Sequence, residues 1–292
     1  MEKIRLNSHA KINLSLAVTG RRESGYHDVR MVMQSVSLHD TLTFEKKDEG
    51  FELVTDNDEL DSEAAGGKEN IIIKACRVLT EHVGEFGGAK ITLTKRIPIA
   101  AGMAGGSTDA AAALRGLNNL YGLGLSLKEL ETLAVKIGAD VPFCVQGGTA
   151  LSEGIGEILT PLNTPSKTDI VIVKPDINVS TKDVYTEFDS LKDPFIPDVD
   201  AMVKAVTGDD IDAVVNNLGN SLEAVTKSLH PVIGEIEECM LKLGARGALM
   251  SGSGPTVFAI VDAGKSTEIE NRLKQKYPAY YVKGHFYGKT VS

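Results

Sequence analysis

Three sets of residues combine types and spacing that could do chemistry: Lys11 in Ala10-Lys11-Ile12-Asn13-Leu14, Asp140 in Gly138-Ala139-Asp140-Val141-Pro142-Phe143, and the run from Ile97 to Asp109. That run reads Ile97-Pro98-Ile99-Ala100-Ala101-Gly102-Met103-Ala104-Gly105-Gly106-Ser107-Thr108-Asp109. Its three glycines let backbone N–H groups approach an anion closely, and a following helix adds unpaired donors and the positive end of its dipole. Ser107 and Thr108 can cap that helix, touch phosphate oxygens or ligate magnesium. The run is not a Walker A loop, because no Lys-Ser/Thr follows its last glycine, and it is not Gly-x-Gly-x-x-Gly. A lysine that serves phosphates must come from elsewhere in the chain. The competing reading is close packing of a helix on a strand; Ser-Thr-Asp after Gly105-Gly106 favours the anion.

Lys11 lies in a half-apolar strand, where a lysine is ordinarily just solvated. Asp140 is a turn residue by its neighbours, yet the apolar Val-Pro-Phe after it could carry the carboxylate into a partly buried position. Beside Lys11 and a bound triphosphate it would be a general base that the lysine keeps ionised. A second glycine loop, Ser251-Gly252-Ser253-Gly254-Pro255-Thr256, lies between two apolar strands. It is either a β-turn or an element that closes over the phosphates or an acceptor alcohol. Two such loops in two halves suggest a ligand in a cleft between them.

The elements that must position these residues follow from periodicity. Residues 4 to 18 alternate as a strand, a turn covers 19 to 25, and His27 to Ser37 is extended; 41–44 and 51–54 predict further short strands. A polar loop spans Asp56 to Glu69. Asn70 caps a helix with Ile72, Cys76, Leu79 and Val83 at helical spacing. Ala89 to Lys95 predicts a strand, and the alanine-rich segment after the glycine run a helix with Leu114, Leu117 and Leu120 on one face. Ser126-Leu127-Lys128-Glu129 is a capping box that opens a helix through Ile137. Val145 to Leu151 reads as extended, and Pro161-Leu162-Asn163-Thr164-Pro165-Ser166 as a linker, which divides the chain into 1–162 and 163–292. Beyond it come a strand at 170–173, helices between 199 and 243, two strands around the second glycine loop, a helix from Ser266 and a strand at 280–286. That order resembles a split β-α-β arrangement.

At 292 residues the chain suits one large domain or two. A net charge of -9, with 31 Lys and Arg scattered among 40 acids, argues against a nucleic-acid surface, so an anionic ligand must be held locally. Three separated cysteines without metal spacing read as reduced, buried thiols of a cytoplasmic protein. No secretion signal is expected at the N-terminus, and no apolar run approaches the roughly 18 residues that span a bilayer.

Together, Lys11 with Asn13, the run from Pro98 to Ala111, Gly138 to Phe143 and Ser251 to Thr256 resemble the GHMP small-molecule kinases over nearly the whole chain. The resemblance implies an α+β fold of two domains, an N-terminal mixed α/β domain and a C-terminal ferredoxin-like split β-α-β domain, with a cleft between them. It implies ATP as co-substrate with Mg2+, bound by Pro98, Ile99, Ala100, Ala101, Gly102, Met103, Ala104, Gly105, Gly106, Ser107 and Thr108. Lys11 and Asp140 are the implied catalytic pair. Gly25-Tyr26-His27 looks like the cytosine-recognising element of one branch of that family, in which the histidine hydrogen-bonds the base and Tyr26 stacks on it. Tyr185, after Ser180-Thr181, falls where that branch places an aromatic on the other face of the ring. The implied partner is then a small molecule, a cytidylated methylerythritol, contacted by Asn13, Tyr26, His27 and Tyr185, with neither nucleic acid nor membrane involved. The assembly implied is a monomer or homodimer. Met103 and Thr108 stand where leucine and serine are common in the family, keeping apolar character and hydroxyl. Another GHMP kinase, for homoserine or mevalonate, and a non-catalytic nucleotide-binding protein on the same fold are the alternatives.

Overall fold

The computed structural model describes residues 2–57, 60, 69–166 and 168–288. Most of the expected polar loop from Asp56 to Glu69 lies outside the described residues. The chain forms two compact units: the first holds Met1–Ala10, Leu38–Ile99 and Ala104–Gln146, the second Lys11–Ser37, Ala100–Met103 and Gly147–Ser292. Two long strands, β1 (Lys3–Arg21) and β2 (His27–Lys47), contribute to both. The short strand expected at 41–44 is therefore the continuation of β2. Between the two expected stretches Asp40 is fully buried and accepts hydrogen bonds from the N–H groups of Arg96 and Ile97, so the acid is absorbed into the strand instead of ending it.

In the first unit β3 (Phe51–Thr55) pairs in parallel with β4 (Gly88–Thr94), which pairs antiparallel with β2 from Thr41 to Lys47. Over this sheet pack α1 (Ile71–Val83), α2 (Gly105–Tyr121), α3 (Leu127–Val135) and α4 (Val141–Gln146). Asn70 caps α1 by accepting from Ile72 N–H, and Ser126 with Glu129 forms the expected capping box of α3. The core joins Leu42, Phe44, Ile91 and Leu93 of the sheet to Cys76 and Leu79 of α1 and to the Ala110–Ala113, Leu114, Leu117 face of α2. Gly116 is needed there, because a Cβ on it would lie 2.5 Å from the Phe44 ring. Helix α4 replaces the extended start expected at Val145: Pro142 sits in its first turn, where a missing N–H costs nothing, and Cys144 N–H donates to Asp140 O.

In the second unit β1 pairs in parallel with β8 (Gly219–Asn220), and β2 from Met31 to Gln34 pairs antiparallel with β5 (Thr149–Glu153), which pairs with β6 (Ile158–Leu162). Pro161 and Leu162, expected in a linker, belong to β6. A separate sheet has the order β11 (Ala279–His285), β7 (Asp169–Pro175), β10 (Val257–Val261), β9 (Gly247–Met250), all antiparallel. In chain order these are its fourth, first, third and second strands, the split β-α-β arrangement that the sequence suggests. Helix α5 (Thr181–Phe188), not expected from the sequence, is capped by Ser180. It is followed by α6 (Val199–Thr207), α7 (Ile211–Asn216), α8 (Glu223–Leu229), α9 (Val232–Lys242) and α10 (Ser266–Lys274), of which α9 and α10 pack on the four-stranded sheet.

Candidate active site

The glycine run enters α2 through Ala104, which adopts the left-handed conformation at φ 57° and offers no side-chain cap. Helix geometry leaves the first N–H groups of α2 without intrahelical acceptors. Within the run the side chains of Ala101, Met103 and Thr108 are buried, whereas Gly106 is exposed. Thr108 is engaged inside the fold: its N–H donates to Ala104 O and its hydroxyl to His9 O. The glycines differ in what holds them. A Cβ on Gly105 would press on Ile97 and on Lys95 Nζ at 3.0 and 3.1 Å, but one on Gly106 would make only an ordinary 3.5 Å contact with Ile71.

A buried ion cluster anchors this region. Lys95 Nζ donates to Asp40 and, at 2.9 Å, to Asp109 in the first turns of α2, and Ser8 Oγ donates to Asp109 at 2.8 Å. Burial pushes the Asp109 carboxyl up to about 7 against the pull of Lys95, with the nearby Asp40 charge acting in the same direction as burial. Burial opposes the Lys95 charge, but the two carboxylates outweigh it and raise the ammonium's pKa. Asp140 directly precedes α4 and is half-buried.

In the second unit Lys11 is 5 % exposed and not the solvated lysine that a half-apolar strand ordinarily carries. From Ala10 to Val18 β1 is buried on both faces, so Lys11 and Asn13 both point into packed surroundings. Lys11 Nζ donates to Asn13 Oδ1 at 2.9 Å and to Gly102 O at 3.3 Å, while Lys11 N–H donates to Met103 O. Asn13 N–H donates to Ser251 Oγ, and that hydroxyl donates to Gly102 O at 3.2 Å. The second glycine loop is thus seated on Gly102 and Asn13. Gly102 must be glycine, since its φ is +73° and a Cβ would lie 2.5 Å from Ser251 O.

Gly25-Tyr26-His27 leads into β2. The His27 ring stacks on Tyr185 of α5, centroids 4.6 Å apart and planes 30° from parallel. His27 Nε2 lies 2.7 Å from Asp189 Oδ1, and Arg21 pairs with the other oxygen at 3.0 Å. A carboxylate oxygen only accepts, so Asp189 places the His27 ring proton on Nε2. The Tyr26 residue is 63 % exposed. The stacked aromatic pair is therefore His27, whose side chain is 8 % exposed, with the half-buried Tyr185, and the exposed Tyr26 precedes His27 in the chain.

The model of the GHMP kinases N terminal domain matches residues 70–148, and that of the GHMP kinases C terminal matches residues 202–279. The 4-diphosphocytidyl-2-C-methyl-D-erythritol kinase of Alkaliphilus metalliredigens is 46% identical over 261 residues, 89% of this chain and 88% of its own length. The chain belongs to the GHMP kinase family. The 4-diphosphocytidyl-2-C-methyl-D-erythritol kinase of Lachnospira eligens is likewise 46% identical, over 97% of each chain. A crystal structure of 4-(cytidine 5'-diphospho)-2C-methyl-D-erythritol kinase matches with a TM-score of 0.81 at 32% identity, covering 98% of this chain and 100% of that one.

Several polar residues of this GHMP kinase that surround the expected ones were not singled out by sequence reasoning. Asp189 and Thr181 sit at the two ends of α5, and Thr181 Oγ1 lies 2.8 Å from Ser253 Oγ of the second glycine loop. The signal was present: Ser180 before Val184 and Phe188 at i, i+4 spacing marks a short capped amphipathic helix. Asn220, which binds the same loop, carries no local mark, because β8 is a two-residue strand defined only by its pairing with β1.

Proposed function

We infer that this kinase transfers the γ-phosphoryl group of ATP to the 2-hydroxyl of 4-diphosphocytidyl-2-C-methyl-D-erythritol, giving the 2-phosphate and ADP in the non-mevalonate route to isoprenoid precursors. The observation that carries the reading is 46% identity over 97% of both chains to a kinase of that name. Phosphoryl transfer asks for in-line positioning and for neutralisation of charge on the transferred group, with little covalent chemistry from the protein. Asp140 is assigned as the base that takes the hydroxyl proton as the new O–P bond forms and the bond to the leaving ADP oxygen breaks. Lys11 is assigned as the cation for the developing charge; its Nζ is held in place by Asn13 and Gly102. Main-chain N–H groups of the run from Pro98 to Thr108 are assigned to the triphosphate, with Gly106 as the point of closest approach.

Magnesium is the cation proposed to accompany ATP, where it would neutralise phosphate charge. Among the described residues no three His, Cys, Asp or Glu side chains converge as a metal site. Ser107, half-buried at the start of α2, fits a single hydroxyl ligand, the remainder coming from phosphate oxygens and water. The cytosine is assigned to Tyr26, His27 and Tyr185. Among the described residues no helix is long and apolar enough to cross a membrane, and a cytoplasmic site of action is the location proposed.

A coupled assay of ADP release tests the assignment with three alcohols: the cytidylated polyol, homoserine and mevalonate. Turnover of the first alone is expected. Preference for homoserine or mevalonate would assign the chain to another GHMP activity, and no turnover of any would leave a nucleotide-binding protein.

A further inference from the structure

Asn220 is 2 % exposed and bonds through both atoms of its amide. Its Nδ2 donates to Met250 O at 2.9 Å and to Gly252 O at 2.7 Å, and its Oδ1 accepts from Leu222 N–H at 3.0 Å. The two carbonyls flank Ser251, so one planar amide sets the orientation of that residue. Ser251 Oγ in turn meets Asn13 N–H and Gly102 O, the same oxygen to which Lys11 Nζ donates. The other end of the connection returns to β1. Asn220 stands opposite Leu16 in the parallel pairing of β1 with β8, and Ser221 N–H donates to Leu16 O at 2.8 Å. Both ends of this closed circuit therefore rest on the strand that carries Lys11 and Asn13. Other side-chain tethers of the loop are single bonds: Glu223 Oε1 accepts from Met250 N–H, Thr226 Oγ1 donates to Ser253 O, and Thr181 Oγ1 lies 2.8 Å from Ser253 Oγ.

We propose that Asn220 is a positioning residue for phosphoryl transfer, fixing the Ser251–Gly252 segment against β1 and so the placement of Lys11 Nζ, without touching either substrate. The inference rests on the kinase reading above. A buried amide with both donors aimed at carbonyls has no equivalent of the same shape: aspartate would turn an acceptor toward two acceptors, and leucine would leave both carbonyls unpaired. Displacement of the loop by a fraction of an ångström reaches the reacting groups, whereas the cytosine is assigned to other residues and the triphosphate to a run that the circuit meets only at Gly102 O.

The test compares the parent enzyme with Asn220→Asp in steady-state assays that vary ATP and the cytidylated polyol separately, alongside circular dichroism of each protein. The expected result is a kcat at least tenfold lower with both KM values within threefold of the parent. A folded Asn220→Asp with kcat within twofold of the parent overturns the inference, and so does a kcat loss matched by a loss of folded protein or by rising KM values. Should Asn220→Asp fail to fold, Ser251→Ala cuts the circuit at its next link. It is expected to lower kcat severalfold with KM values unchanged, and parent-like kcat there overturns the inference. If the parent itself does not phosphorylate the cytidylated polyol, the kinase reading fails and this inference with it.

Discussion

Gly106 and Gly102 stand four residues apart in the same run, and alanine at each is expected to fail in opposite ways. At Gly106 an added Cβ meets nothing closer than Ile71 Cγ2 at 3.5 Å, an ordinary contact. The position is helical and exposed, so alanine should stabilise α2 by about 0.5–1 kcal/mol, or roughly 2–4 °C in Tm per kcal/mol for a chain this large. If the triphosphate rests on the N–H groups here, the same methyl stands between backbone and phosphate. Weakening one charge-assisted hydrogen bond worth roughly 1.5–3 kcal/mol raises the KM for ATP on the order of 10- to 100-fold. At Gly102 the φ of +73° costs an alanine about 1–2 kcal/mol, and the Cβ would lie 2.5 Å from Ser251 O where about 3.3 Å is tolerable. The second glycine loop must then retreat by roughly 0.8 Å from groups that also hold Lys11, a displacement of the order that costs about 10²-fold in rate.

The assay is coupled ADP release with ATP varied at saturating polyol, beside thermal melts of the parent and both variants. Gly106→Ala should melt higher and bind ATP worse; Gly102→Ala should melt lower and turn over slowly. A Gly106→Ala enzyme that melts higher with an unchanged KM for ATP would refute the cradle, because the one glycine of this run with no packing reason to be one would then have no ligand reason either.

Lys11→Ala and Asp140→Asn should each lower kcat by about 10²–10⁴ at saturating ATP, and near-parent turnover in either would remove that residue from the chemistry. His27→Ala should raise the KM for the cytidylated polyol with the KM for ATP unchanged, and Asp189→Asn should do so to a smaller degree by releasing the ring that Asp189 orients; titration calorimetry with cytidine diphosphate checks both. Asp109 sets a pH dependence of stability. Its carboxyl ordinarily titrates near 3.8 and in the fold at about 7, so the folded state keeps a proton that the unfolded chain releases in between. The contribution is fully present below about 4 and is lost as pH rises through about 7. Asp109→Asn, neutral at every pH, should therefore gain on the parent in Tm between pH 5 and pH 8.5. A variant that instead loses ground as pH rises would show that attraction to Lys95 outweighs burial.

What was legible in the sequence is what short segments decide among themselves. The Asn70 cap, the Ser126–Glu129 capping box and the strand, glycine run and helix from Ala89 to Leu120 each rest on neighbours within a few residues, and each formed where periodicity and capping chemistry put it. The order of the four-stranded sheet is a different matter. Short apolar runs mark the strands of this sheet but do not say that β7 pairs with β10 and β11 and not with β9. Asp40 shows why local signals mislead, since an acid in a Val- and Leu-rich run reads as a break until Lys95, 55 residues on, turns it into a buried ligand for two N–H groups.

The same distinction runs through the candidate site. Lys11 was noticed for its type, yet its setting comes from Gly102 and Met103, some 90 residues later, whose carbonyls accept from its Nζ and its N–H. Asp189 acquires its role from His27 across a separation of 162 residues, and Asn220 from a loop 30 residues beyond it. Residues that would touch ligand carry recognisable chemistry in short motifs, because the ligand demands particular atoms. Residues that aim them are ordinary Asn, Asp and Ser whose meaning lies wholly in what the fold brings opposite. A search by motif therefore picks out the proposed contacts and misses the proposed supports, and a hydrogen-bond circuit that closes on the strand carrying Lys11 is the feature that points to the supports.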